Sequence, residues 1–492
     1  MSWAEYDQLV DPFCEVACIN KNPALFVKSL KHNFNETARK ADASIPTDSH
    51  IIIENGGLSL KKRSSAKNSA AHKSIDLALK DLVREVSIVD LLAETTQWLN
   101  LGKKFGPLSG HKTKVRDYSE RLVATLFCYG CNLGPTQTAR SIKDLSRKQI
   151  VYLNLSHTRG QDLRAATEEV INAYNQYELP RHWGSGSTAS VDGTRFDMYE
   201  QNILSEYHLR YASYGGIGYY LVSDKYIALF SRFIPCGVRE ALHLLDGILD
   251  NTSDIQPDTI HGDTHAQSTV VFGLAHLLGI KLMPRIKDIN SMVFFKPDGR
   301  SVYPHIDTLF SENINYSLIT DNYKEMLRVA VSISEGKVSV STMIRRLGSN
   351  SIRNSLFYAF RELGRVVRTQ FLLQYISEIE LRESVHAATC KSEEFNQFVQ
   401  WVFFYNSGMI QENLRYAQNK MIAYNHLVAN LVILHNVDSM SKAINKLKRQ
   451  GFKVDAEALR SLSPYRTEHI NLLGTYSLKI PKQQGNRNFK LM

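Results

Sequence analysis

The chain has 492 residues, 43% of them hydrophobic, too many for one compact core and enough for several subdomains. Lysine and arginine total 59 against 49 acidic residues, and the formal net charge of +10 favours a polyanionic partner such as nucleic acid. The start, MSWAEYDQLVDPF, lacks the basic and apolar regions of a secretory signal. The most apolar run, Met421 to Leu434, is shorter than the ~20 residues a membrane span needs and is broken by Asn425, His426 and Asn430, so a soluble intracellular protein is expected.

In chain order, residues 1–73 give mixed signals: Glu54-Asn-Gly-Gly57 is a turn, and Lys61 to Lys73 (KKRSSAKNSAAHK) reads as a solvated basic linker. Residues 74–182 read as a helical domain that opens with Ile75, Leu77, Leu79, Leu82 and Val83, with Asn132-Leu-Gly-Pro-Thr136 as a helix–helix connection. Residues 183–299 change character. Trp183-Gly-Ser-Gly-Ser187 is a flexible turn before a short strand through Val191, and Tyr219 to Val222 with Tyr226 to Ile234 form a hairpin around Ser223-Asp-Lys225. Val238, Ala241, Leu242, Leu245, Ile248 and Leu249 share one helical face, followed by a short strand near Thr259-Ile260. Val270, Val271, Leu274, Leu277 and Leu278 mark another helix, and Ile280 to Ile286 a further strand. Three strands, helix, strand, helix, strand predicts an α/β chain with a mixed sheet flanked by helices, which is also the order of the ribonuclease H-like fold.

Residues 300–385 read as a helical insertion carrying Arg345, Arg346, Arg353, Arg361, Arg365 and Arg368. Within 386–415 a helix is predicted from Lys391, with Phe395, Phe398, Val399, Val402 and Phe403 as its apolar stripe. In 416–480 a long helix from about Met421 to Gln450 stops at Gly451, and 481–492 reads as a disordered basic tail. The six cysteines include Cys14 with Cys18 and Cys128 with Cys131, which together could make a four-thiolate zinc site. The wide separation of the pairs and the lack of tight flanking loops favour scattered thiols in a reducing compartment.

Phosphodiester hydrolysis at neutral pH needs an activated water and a neutralised leaving oxygen, which two divalent ions supply. Magnesium prefers carboxylate oxygens, so such a site needs a few acids gathered by a rigid scaffold. Three candidates stand out. Asp192, in Ser190-Val-Asp-Gly193, ends a predicted strand, although Asp-Gly is also a hairpin turn. Asp263, in His261-Gly-Asp-Thr-His265, ends another, although it could equally cap the following helix. Glu393 falls in the first turn of its helix, opposite the phenylalanine stripe, with Glu394 as a rival.

Further segments surround these acids: Trp183-Gly-Ser-Gly with Arg195-Phe196, Val222-Ser-Asp224, Ile234-Pro-Cys-Gly-Val-Arg239, Leu245-Asp-Gly247, Leu277-Leu-Gly279, and Pro284-Arg-Ile-Lys-Asp288. Gly364-Arg365, Arg368-Thr369, Lys391-Ser-Glu393, Leu462-Ser-Pro464 and Glu468-His-Ile-Asn-Leu472 follow. Taken together and colinear, they resemble the catalytic portion of the Tn3 family of replicative transposases, in the DDE superfamily, over roughly residues 75 to 478.

The resemblance implies a ribonuclease H-like core with a large helical insertion, and bacterial, nucleoid-associated DNA as partner. It assigns Asp192, Asp263 and Glu393, in preference to Glu394, as the metal-binding catalytic acids for two Mg²⁺ ions, with Mn²⁺ as substitute. Water would cut each transposon end, and the freed 3′-hydroxyl would attack target DNA, on paired ends held by a homodimer. Arg195, Arg239, Arg285, Lys287, Arg365 and Arg368 become candidate DNA contacts. His265 would orient a metal-bound water or a phosphate. Family members are longer, with an N-terminal region that reads the inverted repeats, and residues 1–73 do not resemble a full set of such domains. The alternative expectation is therefore a non-catalytic DNA-binding remnant that pairs with, and interferes with, a full-length transposase.

Overall fold

A computed structural model describes residues 1–46, 50–54, 57–60, 70–110, 115–202, 205–208, 213–235, 241–262, 267–349, 354–478, 480, 487 and 489–491. The fold is mixed α/β, with strands that pair both antiparallel and parallel. The chain divides into two units that interleave in sequence: Met1–Ala66, Arg239–Asp250 and Asp258–Cys390 form one, and Lys67–Val238, Asn251–Pro257 and Lys391–Met492 the other. Among the described residues no helix is long and apolar enough to cross a membrane.

The first unit begins with two helices, Trp3–Val16 and Pro23–Ser44, in a segment whose residues carry mixed signals. Local chemistry explains both. Ser2 and Glu5 form a reciprocal capping box, and the Asn22 side chain caps a helix with proline in its first turn. Tyr6, Val10 and Cys14 recur every fourth residue, as do Phe26, Leu30, Phe34 and Ala38, and all are buried. The strands Ile51–Glu54 and Gly57–Leu60 pair antiparallel; Asn55 and Gly56 of the expected turn and residues 61–69 of the expected linker lie outside the described residues. The parallel strands Thr259–His261 and Lys281–Leu282 flank the helix Thr269–Leu277, so the second strand is much shorter than expected. A parallel pair, Phe294–Lys296 with Phe310–Asn313, precedes the helices Tyr316–Ser334, Val340–Ser349 and Ser355–Ser377.

Two of the recognised segments turn out to be packing devices of this unit. A Cβ on Gly364 would lie 1.6 Å from the Thr269 carbonyl oxygen, so the helices Ser355–Ser377 and Thr269–Leu277 meet backbone to backbone. Asp246, 4% exposed, accepts the Val340 N–H at 2.8 Å and so satisfies the start of a helix far along the chain.

The second unit opens with helices as expected: Ala70–Leu82, Ile88–Trp98, Tyr118–Gly130, Pro135–Ser141, Arg147–His157 and Gly160–Asn175. Its central helix, Arg415–Arg449, is buried on nearly all sides. The polar residues that interrupt its apolar run meet backbone carbonyls instead of water. Asn425 donates to Gly130 at 3.0 Å, Asn430 to Ala228 at 2.8 Å, and Asn436 to Pro464 and Arg466 at 2.8 Å each. Past its end, Gly451 takes φ 84° while the Phe452 N–H returns to Leu447, the expected left-handed stop.

The antiparallel strands of this unit centre on Ser213–Ser223, paired with Thr188–Asp197, Glu206–His208 and Ala228–Pro235. Asp192 therefore sits inside a strand, not at the end of one or in a hairpin turn. Asp192 and Gly193 stay in register opposite Tyr220 and Tyr219, and Phe196 continues the strand, which carries pairing past the Asp-Gly pair. Glu393 is likewise not in a first helical turn. The helix spans Ile379–Val402, because nothing between Ile379 and Cys390 breaks it.

Candidate active site

The site is built where the strand Thr188–Asp197 meets the C-terminal half of the helix Ile379–Val402. Three side-chain pairs hydrogen-bond across, and Gln400 Nε2 also donates to the Arg195 carbonyl at 3.3 Å. Ser190 and Ser392 hydroxyls are 3.0 Å apart, Asn396 Nδ2 donates to Asp192 Oδ2 at 2.8 Å, and Gln400 Nε2 donates to Thr194 Oγ1 at 2.6 Å. Every fourth helical residue thus meets every second strand residue. The match is metric: four helical residues rise about 6 Å, and two strand residues about 6.7 Å.

Asp192 is held at both oxygens. Gly193 N–H donates to Oδ1 at 2.9 Å, and Asn396 holds Oδ2. Glu393 lies exposed three residues before Asn396, hence on the same side of the helix. The rival Glu394 is anchored elsewhere: burial pushes its carboxyl up, while Lys391 and a hydrogen bond with Ser463 pull it back. Asp263 and His265, like Arg239, lie outside the described residues. Among the described residues, no cluster of three His, Cys, Asp or Glu side chains is arranged to hold a metal.

The turn before the strand is fixed by a carboxylate. The Asp224 carboxylate accepts the N–H of Ser185 at 3.0 Å and of Gly186 at 2.9 Å. A Cβ on Gly184 would come 2.3 Å from Asp224 Cγ, so only glycine fits there. Lys391 closes the clip from the helix: Nζ donates to the carbonyls of Trp183 at 2.9 Å and Asp224 at 2.5 Å, and lies 4.5 Å over the Tyr226 ring. Burial lowers the Lys391 pKa. Trp183 Nε1 in turn donates to Leu459. Asn396, Asp224 and Lys391 are not among the expected site residues. The available signal for Asn396 was a polar residue among Phe395, Phe398 and Val399 on a face that is otherwise apolar.

The remaining candidates separate by environment. Arg195 pairs with Asp197 at 3.0 Å and lines a cavity of about 520 Å³ with Gly193, Thr194, Gln400, Phe403 and Phe404, next along the strand from Asp192. Arg285 is half-buried and Lys287 exposed. Arg365 is tied to Glu362 at 3.0 Å and Glu312 at 3.1 Å and stacks 4.3 Å over Phe295. Arg368 places Nη2 3.3 Å from Met292 Sδ, with its Nε buried and unpaired. Burial lowers its pKa. The cysteines other than Cys236, which lies outside the described residues, are free thiols. Burial pushes Cys128 up to about 12 and raises Cys131 as well, so neither is poised as a thiolate ligand.

Comparison with known proteins places this geometry in context. A family model described as the Tn3 transposase DDE domain matches residues 90–476. The chain is 29% identical over 458 residues to the transposase for transposon Tn1546 of Enterococcus faecium, covering 93% of this chain and 46% of that protein. It is 33% identical over 428 residues to the transposase for transposon Tn501 of Pseudomonas aeruginosa, covering 86% of this chain and 43% of that protein. The chain thus spans a little under half the length of these relatives.

Proposed function

The chain belongs to the Tn3 transposase DDE family, and on that premise we propose that it is a catalytic region that cuts transposon ends and transfers the freed 3′-hydroxyl to target DNA. The observation that supports this most is the fixed carboxylate of Asp192, gripped at one oxygen by its own strand and at the other by the helix that carries Glu393. Asp192, Glu393 and Asp263 are the proposed acids, within a ribonuclease H-like core interrupted by a helical insertion over 300–385.

The proposed donors are hard carboxylate oxygens, which suit magnesium, with manganese as substitute. When bound, a pair of such ions would activate water and neutralise the leaving oxygen. The chain's own residues supply positioning. The three-rung ladder holds the strand against the helix, the Lys391–Asp224 clip fixes the turn before the strand, and the cavity beside Arg195 provides a polar recess next to Asp192. Arg285, Lys287 and Arg368 remain proposed DNA contacts, and Arg195 a contact at the recess. Arg239 and His265 are retained on the resemblance alone. Arg365 is better placed as a structural ion pair. DNA with paired ends and a second copy of the chain are the proposed partners.

Incubation of labelled DNA with Mg²⁺ or Mn²⁺, comparing wild type with Asp192→Ala, tests the proposal. Cleavage or strand transfer that disappears in the variant supports it. Equal DNA binding by both, with no cleavage of any substrate, favours the non-catalytic remnant instead.

A further inference from the structure

The middle rung of the ladder differs from its neighbours. Ser190–Ser392 and Thr194–Gln400 join neutral groups, whereas Asn396 donates to the Oδ2 of a carboxylate. That contact fixes the amide's orientation, because a carboxylate accepts and cannot donate. The amide's Oδ1 must then face away. It is buried with no hydrogen-bond partner among the described residues, on a side chain only 8% exposed. A buried acceptor without a partner costs stability, and the helix is already tied to the strand by two other rungs. Packing alone would favour an apolar side chain here.

Resting on the function proposed above, we infer that Asn396 is a positioning residue for the cation site, orienting the Asp192 carboxylate toward a divalent ion. Gly193 N–H and Asn396 Nδ2 each hold one oxygen of the carboxylate. A neutral amide suits this task. It restrains the carboxylate without cancelling its charge, whereas lysine or arginine at the same place would compete with the cation. Groups that hydrogen-bond a ligating carboxylate characteristically set metal affinity in this way.

The test is Mn²⁺ binding to the full chain without DNA, followed by electron paramagnetic resonance of the free ion, together with thermal unfolding in EDTA. Asn396→Leu keeps the volume and removes both the donor and the unpaired acceptor. It is expected to weaken Mn²⁺ binding about ten- to a hundredfold, with a melting temperature in EDTA equal to or above that of wild type. If Asp192→Ala abolishes Mn²⁺ binding but Asn396→Leu retains it, the role of Asn396 is overturned and the function stands. If Asn396→Leu melts several degrees lower in EDTA, the residue is an ordinary packing element and the inference is likewise overturned. If Asp192→Ala binds Mn²⁺ as wild type does, the functional reading itself fails.

Discussion

Asp224 shows how a single carboxylate can shape a site without joining its chemistry. Its two oxygens gather the Ser185 and Gly186 amides and the Ser223 hydroxyl, and its backbone carbonyl receives Lys391. The neighbouring Gly184 has no room for a side chain, since the Asp224 carboxylate is pinned and cannot move aside. Gly184→Ala is expected to destabilise the second unit by about 1–3 kcal/mol, the usual range for overpacking a rigid site. Denaturant unfolding measures this; an unchanged midpoint would show that the turn is softer than its hydrogen bonds imply. This level was only partly legible. The glycines and Asp224 stood out as a pattern, but the sequence could not show that the pattern serves one turn, because the partners lie far apart in the chain. Asn396 shows in the sequence only as a polar residue among apolar ones, because its meaning depends on a contact 204 positions away.

At the scale of elements, periodicity located most helices, and its failures have physical causes. The polar run Lys391-Ser-Glu-Glu resembles a helix start, yet Ile379–Cys390 contains no glycine or proline to end the preceding turns, so one helix runs through. Asp192-Gly193 resembles a hairpin turn, yet cross-strand pairing with Tyr220 and Tyr219 carries the strand past it. The N-terminal helices carry a capping box and a four-residue apolar spacing, both legible in the sequence. The tightest element contact belongs to Gly364. A methyl group there would strike the Thr269 carbonyl, and backbone cannot yield as a flexible side chain would. Gly364→Ala is expected to cost about 3 kcal/mol or more. A drop in melting temperature would be the readout, and a wild-type melt would contradict the close helix approach.

Across the whole molecule, each unit encloses a neutral histidine. His276 packs 5.9 Å from the Phe26 ring in the first, and His426 accepts from Ser231 and donates to Ala228 in the second. Burial lowers both to about 4. In the unfolded chain each would titrate near 6.5, so the unfolded state binds more protons between those values. Their contribution is therefore complete above about pH 6.5 and is lost as pH falls toward 4. Each is expected to remove about 2 kcal/mol of stability between pH 7 and pH 5. Thermal melts across that range check the sign, and His426→Gln should flatten the slope; stability that rises on acidification would refute the buried neutral state.

At this scale the family was legible from many colinear segments, which now divide between architecture and chemistry. Gly364, Asp246, Asp224 and Pro464 serve the fold, while Asp192 and Glu393 lie on the elements joined by the ladder. We propose that the helix presents Glu393, and not Glu394, to the reaction proposed for Asp192. Single-turnover cleavage of a labelled transposon-end DNA in Mn²⁺ by Glu393→Gln and Glu394→Gln separates the two. The expected result is a loss of about a thousandfold or more for Glu393→Gln, as befits several kcal/mol of lost charge stabilisation, with Glu394→Gln within about tenfold of wild type. Abolished cleavage in Glu394→Gln alongside an active Glu393→Gln would contradict the account.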